Sequence, residues 1–211
     1  MKRLLLFDFD GVVADSLEVF STSFMALCRA EGFDRIATRE DFLALFDDNY
    51  LQSMLKLGFG VLKLRRLAKQ FSPRITEAMA VVRPFDGMID VLNALADAHP
   101  LYVITSSMTP AVEGFLDRHG VKGVRAVLGA DHEPSKVKKI RAASAEHPGL
   151  PVYYVGDTRG DMREGREAGA ETVAVTWGWH DEARLRAANP DHVVHTPEEL
   201  RALLLGATPA P

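Results

Sequence analysis

The chain has 211 residues, 47% of them hydrophobic and 26% charged, with a net charge of -4. That length allows one core, or a core with a smaller companion, and excludes two large independent domains. The composition excludes disordered, collagen-like and coiled-coil classes, and the mild acidity disfavours nucleic acid as a partner, because chains that hold phosphate backbones are usually basic.

In chain order, Leu4-Leu5-Leu6-Phe7 is an apolar run that ends at Asp8 and reads as a buried strand. It is too short for a signal-peptide core, and no run approaches the ~18 apolar residues of a membrane span. Leu17, Phe20, Phe24 and Leu27 recur at helical spacing up to a stop at Gly32. Further helices are predicted over Asp41 to Phe46, Asn49 to Leu57 and Gly60 to Phe71, and Ala80-Val81-Val82 is an ambiguous strand. Cys28, the single cysteine, cannot form an intrachain disulfide and reads as a buried small hydrophobe, which fits a reduced, cytoplasmic setting.

From Arg83 onward strands and helices alternate. Asp86 is placed to cap a helix with Met88, Val91, Leu92 and Leu95 on its apolar face. Leu101 to Ile104 is a strand ending at Thr105-Ser106-Ser107, and Thr109-Pro110 reads as an N-cap with proline at the first helical position. Strands follow at Val124 to Leu128, at Val152 to Val155, ending Gly156-Asp157, and at Thr172 to Thr176, with helices over Lys136 to Ala145 and, after Asp157, up to Gly169. A helix near Asp181 to Ala188, a short strand at Val193-Val194 and a helix from Pro197 to Leu205 complete the pattern, and the tail from Gly206 is expected to fray. This order predicts an α/β fold, a doubly wound parallel sheet with helices on both faces. The stretch from 16 to 82 interrupts it and reads as an inserted all-helical domain, leaving 1–15 and 83–211 as the core.

Two acidic pairs carry the chemistry. Asp8 and Asp10 leave the first strand on the same side of an extended chain, and carboxylates held so close need a cation or a shared proton. An EF-hand is excluded, because Gly11 falls at loop position four and Val19 at position twelve. Asp157 and Asp161 follow the fourth strand, where an Asp could simply cap a helix. Both pairs nevertheless lie at carboxyl ends of strands, where open α/β sheets bind ligands, and their oxygens suit Mg²⁺. Thr105 and Ser106 could hold an anion with their hydroxyls and turn amides. Lys136, Lys138 and Lys139 crowd one helix start, and a solvated basic face would explain them equally well.

Together, in order and over nearly the whole chain, these segments resemble the haloacid dehalogenase (HAD) superfamily of phosphohydrolases. Asp8-Phe9-Asp10-Gly11-Val12-Val13 is similar to its first motif, Val103-Ile104-Thr105-Ser106 to its second, Lys136 to its third, and Val155-Gly156-Asp157-Thr158-Arg159-Gly160-Asp161 to its fourth. Val137 stands where the family often has proline, so Lys138 and Lys139 remain alternatives for the third. Trp177-Gly178-Trp179-His180 resembles a segment of phosphoglycolate-phosphatase-like members, its rings read as packing. The resemblance implies a Rossmann-like core with strand order 5-4-1-2-3, and a helical cap that closes over the site. It further implies Asp8 as nucleophile forming an aspartyl-phosphate, and Asp10 as general acid and base. Mg²⁺ would be held by Asp8, the Asp10 carbonyl and Asp157, with Asp161 in support. Gly11, Thr105, Ser106 and Lys136 would hold the phosphoryl oxygens of a small phosphorylated metabolite. A sugar-phosphate mutase is the nearest enzymatic alternative, mildly disfavoured because no histidine lies between Ser16 and Val82. A phosphorylatable signalling module without turnover is the alternative from another class. His192 and His195 read as structural, and Arg29, Arg39, Lys56, Lys63, Arg65 and Arg66 as solvated or substrate-facing cations. Monomer and homodimer are both compatible with the sequence.

Overall fold

A computed structural model of the chain describes residues 1–206, so the tail expected to fray beyond Gly206 lies outside the described residues. Six parallel strands form one sheet in the order β3-β2-β1-β4-β5-β6. They are β1 (Leu4–Phe7), β2 (Leu101–Ile104), β3 (Val124–Leu128), β4 (Val152–Gly156), β5 (Glu171–Val175) and β6 (His192–Val194). β1 is central because all four of its residues are apolar and fully buried, so neither face can meet water. The period of two then divides its side chains. Leu5 and Phe7 pack with α5 (Met88–Ala98), α6 (Thr109–Arg118) and α10 (Pro197–Leu205), whereas Leu4 and Leu6 pack with Ile140 and Ala143 of α7 (Lys136–Ala145). Because β2 and β4 flank β1 on opposite sides, the winding reverses there and a crevice opens at the carboxyl ends of β1 and β4.

Four helices lie between β1 and α5: α1 (Leu17–Ala30), α2 (Arg39–Ala44), α3 (Tyr50–Lys56) and α4 (Val61–Ala78). Their own apolar cluster includes Phe24, Leu27, Phe42 and Met54, and Trp179 is its one buried contributor from outside the segment among the described residues. The chain leaves and rejoins the sheet at one narrow neck, where Asp15 N–H donates to Arg83 O (2.9 Å) and Phe85 N–H to Val13 O (3.0 Å).

Several local expectations are corrected. α4 runs on to Ala78, through Pro73, where a stop at Phe71 was expected. Residues 80–82 form no strand, the chain there being occupied in turning back to the neck. Gly87 rather than Asp86 caps α5, its φ of +80° being a conformation that favours glycine. Met108 caps α6, because the Thr109 hydroxyl is drawn to Asp131 (2.9 Å) instead. The short helix α9 spans only Glu182–Arg186, with Asp181 as its cap.

The turn between α2 and α3 is fastened to the sheet domain at α8 (Arg159–Ala168) and α9. Gly160 N–H donates to Phe46 O (2.8 Å), and Asn49, which caps α3, gives its Nδ2 to Glu164 Oε1 (2.7 Å). Arg184 grips Asp47 through two nitrogens (2.7 and 2.9 Å) and reaches Glu40 as well. Buried His180 accepts a hydrogen bond from Arg159 N–H at Nδ1, so Nε2 is the nitrogen that donates to Leu43 O (3.0 Å). Burial lowers the pKa of this histidine, which agrees with a neutral ring. Gly160 is required by close approach: a Cβ there would lie 2.7 Å from Asp48 O and 2.9 Å from Phe46 O. Gly160→Ala is therefore expected to raise hydrogen exchange across residues 46–50 by about tenfold or more while leaving β1 protected. Unchanged exchange in that turn would contradict this docking.

Candidate active site

Asp8 directly extends β1, its N–H donating to Val155 O (2.8 Å). Its Oδ1 accepts from Phe9 N–H (2.8 Å) and its Oδ2 from Lys136 Nζ (2.8 Å). Lys136 opens α7, whose N-cap is Ser135. The same ammonium reaches Asp161 Oδ1 at 2.7 Å. Of the three neighbouring lysines only this one enters the site. Lys138 is exposed and pairs with Glu133, while Lys139 is buried and donates to Thr105 O (2.6 Å) and Gly129 O (3.3 Å). Burial lowers the Lys139 pKa to about 8.

Asp157 ends β4 and is fully buried. Its Oδ2 accepts from Trp179 N–H (2.7 Å), and its Oδ1 has no partner among the described residues. Asp161 belongs to a capping box. Thr158 is the N-cap of α8, and Asp161 Oδ2 accepts from Thr158 N–H (3.2 Å) and Oγ1 (2.5 Å). Its Oδ1 accepts from Tyr154 Oη (2.8 Å) as well as Lys136. One oxygen each from Asp8, Asp157 and Asp161 lies within 4.8 Å of the others.

The electrostatics follow from this crowding. Burial pushes the Asp8 pKa up to about 7 against the pull of Lys136. Burial, then Asp161 and Asp8, hold Asp157 well above the carboxylate range. Asp161 is equally buried, yet Lys136 and the hydrogen bonds from Thr158 and Tyr154 bring its pKa below the usual value. Burial disfavours the charged form of Lys136, but Asp161 and Asp8 outweigh it and raise its pKa well above that of a free lysine. One ammonium faces three carboxylates, and Asp157 Oδ1 is an orphaned buried acceptor. Hard oxygens with uncompensated negative charge fit a hard divalent cation.

Asp10 stands beside this trio. Its side chain is half-buried, its Oδ2 accepts from Ser107 Oγ (2.7 Å), and loss of water around the carboxyl raises its pKa against that hydrogen bond. Gly11 supplies room. Its φ is +81°, and a Cβ would overlap Asp157 Oδ2. Its amide donates to Ala14 O (2.9 Å), so the expected role of that N–H toward phosphate is not supported by its bonding here. Gly178 has the same steric duty toward Asp157. Ser106 lines the cavity above the carboxylates. Thr105 is fully buried, and its Oγ1 accepts from Ser107 N–H (2.9 Å), shaping the turn that aims Ser107 at Asp10.

Ser107, Tyr154, Glu164 and Trp179 were not singled out as site residues from the sequence. Ser107 had a faint signal, standing two residues after a strand-end threonine. Tyr154 had none, since it sits inside an apolar strand. The cavity bounded by these groups and the helical segment has a volume of about 280 Å³.

Known proteins resemble this chain along its whole length. It is 30% identical to the phosphoglycolate phosphatase of Synechococcus elongatus over 202 residues, covering 94% of this chain and 95% of that one. It is 28% identical to the N-acetylmuramic acid 6-phosphate phosphatase of Pseudomonas aeruginosa, with 95% of each chain covered. A haloacid dehalogenase-like hydrolase from Streptococcus pneumoniae has the same fold, with a TM-score of 0.75 at 23% identity over 96% of this chain and 98% of that one. The model of the haloacid dehalogenase-like hydrolase family matches residues 5–175, a span that holds all four aspartates, and the chain belongs to that family of hydrolases.

Proposed function

We propose that the chain is a Mg²⁺-dependent phosphohydrolase that cleaves a small phosphomonoester through an aspartyl-phosphate on Asp8. The observation that carries this reading is the buried Asp8–Asp157–Asp161 cluster with its orphaned Asp157 oxygen, two of whose members, Asp8 and Asp161, line a cavity. Asp8 and Asp157 would hold the cation with Asp161 beside them, and the cation would lessen repulsion between an anionic nucleophile and an anionic phosphoryl group.

In the first step an Asp8 carboxylate oxygen attacks phosphorus and the bond from phosphorus to the ester oxygen breaks. Asp10, whose protonated form burial favours and which Ser107 orients, gives its proton to the departing alkoxide. In the second step Asp10 takes a proton from water, the water oxygen attacks phosphorus, and Asp8 leaves as a free carboxylate. Lys136 keeps Asp8 and Asp161 in place and adds positive charge where the phosphoryl oxygens arrive. Residues 16–82 act as a cap on a core formed by 1–15 and 83–211, excluding bulk water from the acyl-phosphate. The substrate is a small phosphorylated metabolite, and a reducing, cytoplasmic setting suits the buried Cys28 thiol. No helix among the described residues is long and apolar enough to cross a membrane.

Two outcomes are expected. Asp8→Asn lowers Mg²⁺-dependent phosphate release by about a thousandfold or more, and Asp10→Asn by about 10²–10⁴. Near-native rates in either variant remove that residue from its role. Metal-free stability should also depend on pH. The folded Asp8 pKa lies near 7 against 3.8 for the free group, and Asp10 and Asp157 are raised too. These three groups bind more protons in the folded than in the unfolded chain between pH 4 and 7, so their contribution to stability falls as pH rises through that window. Relative to Asp8→Asn, the melting temperature of the metal-free protein should drop by several degrees there, and millimolar Mg²⁺ should reverse most of the drop. In Asp157→Asn the Mg²⁺ effect should vanish; its persistence would contradict the assigned cation site.

A further inference from the structure

The cavity above the carboxylates has a composition that the hydrolase reading does not use. The helical segment contributes Phe20, Phe42, Phe46 and Leu64 to its walls, and the sheet domain contributes Met108 and Trp179. The aromatic side is a packed surface. Phe46 stacks on Tyr50 with ring centroids 5.5 Å apart and meets Trp179 edge-on at 4.9 Å.

Charge on the walls is of one sign beyond the reaction centre. Lys136 is the single cation among the described lining residues, and both Asp8 and Asp161 hold it. Four cations of the helical segment have partners of their own. Arg39 faces Glu18, Lys56 faces Asp48, Arg66 faces Glu31, and Lys63 lies over the Phe33 and Phe59 rings. Two further carboxylates, Asp48 and Glu164, sit on the wall; Asp48 is paired with Lys56 and Arg163, and Glu164 is engaged by Asn49. A second anion on the substrate would lose its water and find no cation besides Lys136 among the described lining residues. An apolar body would instead cover surface that otherwise stays wet.

We infer that the substrate is the phosphomonoester of an uncharged, largely apolar alcohol, with a leaving group no bulkier than about one six-membered ring, rather than of a hydroxy acid such as glycolate. The size limit comes from the cavity, whose volume of about 280 Å³ is at the small end for ligand sites and must hold the phosphoryl group too. This inference rests on the proposed phosphomonoesterase reading for the position of the phosphoryl group. It sets this chain apart from its phosphoglycolate phosphatase relative despite their likeness over nearly the whole length.

The test separates the two readings by measuring binding as well as turnover. Two non-hydrolysable phosphonates of matched geometry, 2-phenylethylphosphonate and 3-phosphonopropionate, are titrated into the full chain with Mg²⁺ by calorimetry. The same comparison is made in turnover with benzyl phosphate and 2-phosphoglycolate, whose leaving groups are both primary alcohols. The phenyl ligand is expected to bind about 100-fold more tightly, with a similar ratio in kcat/KM. Leu64→Lys, which places an ammonium on the apolar wall, should narrow both ratios by about tenfold or more, with its fold checked by thermal melting. If that variant does not fold, the wild-type phosphonate ratio decides alone. Equal or tighter binding of phosphonopropionate, or binding of neither ligand, overturns the inference. A retained phenyl preference with no turnover of any ester upholds it and refutes the hydrolase reading instead.

Discussion

Three buried carboxylates share one ammonium at the carboxyl ends of β1 and β4, and most of the local architecture answers to that imbalance. Lys136 Nζ lies 2.8 Å from Asp8 and 2.7 Å from Asp161 but makes no hydrogen bond to Asp157. Uncompensated charge in a site sealed from water is costly, and it is resolved by taking up protons or by taking up a cation. The raised pKa values of Asp8 and Asp157 express the first solution. The orphaned Asp157 oxygen leaves room for the second.

The surrounding fold holds these groups together against their repulsion. Parallel pairing of β1 with β4 fixes the backbone, since Phe7, one residue before Asp8, is opposite Val155, two residues before Asp157. Backbone donors then fix the side chains: Phe9 N–H on Asp8, Trp179 N–H on Asp157 and Thr158 N–H on Asp161. Glycine at 11 and 178 allows two neighbouring loops to close on Asp157, where any Cβ would overlap it. The helical segment completes the enclosure through Trp179, which supplies a backbone donor to the site and an aromatic face to the segment's own core. One residue thus couples closure of the cavity to the geometry of a carboxylate.

Much of this was legible in the sequence, for specific reasons. Short apolar runs ending in Asp or in Thr-Ser marked β1, β2 and β4, because a strand buried on both faces has no polar positions to confuse the reading. The four aspartates stood out by their place after such runs. The choice among Lys136, Lys138 and Lys139 was not legible, because it depends on the rotation of α7 about its axis, which packing of Ile140 and Ala143 sets. Ser107 and Tyr154 escaped notice because their roles are defined by partners 97 and 7 residues away across the crevice. The contacts of Asp47, Asn49 and Phe46 with Arg184, Glu164 and Gly160 depend on how one group of helices docks on another, and no spacing in the sequence encodes that. The cap of α6 was misread for a similar reason. Thr109 has the residue type of an N-cap, but a distant carboxylate at Asp131 competes for its hydroxyl.

The central claim is that Asp8 is the group that receives phosphorus, with a divalent cation shared among the neighbouring carboxylates. Crystals grown with Mg²⁺ and trifluoroberyllate, a mimic of a transferred phosphoryl group, test it most directly. The account predicts beryllium bonded to an Asp8 carboxylate oxygen, Mg²⁺ held by Asp8 and Asp157, and a fluorine within hydrogen-bond reach of Lys136. Beryllium on another side chain, or a fluoride adduct with no cation among Asp8, Asp157 and Asp161, would contradict it.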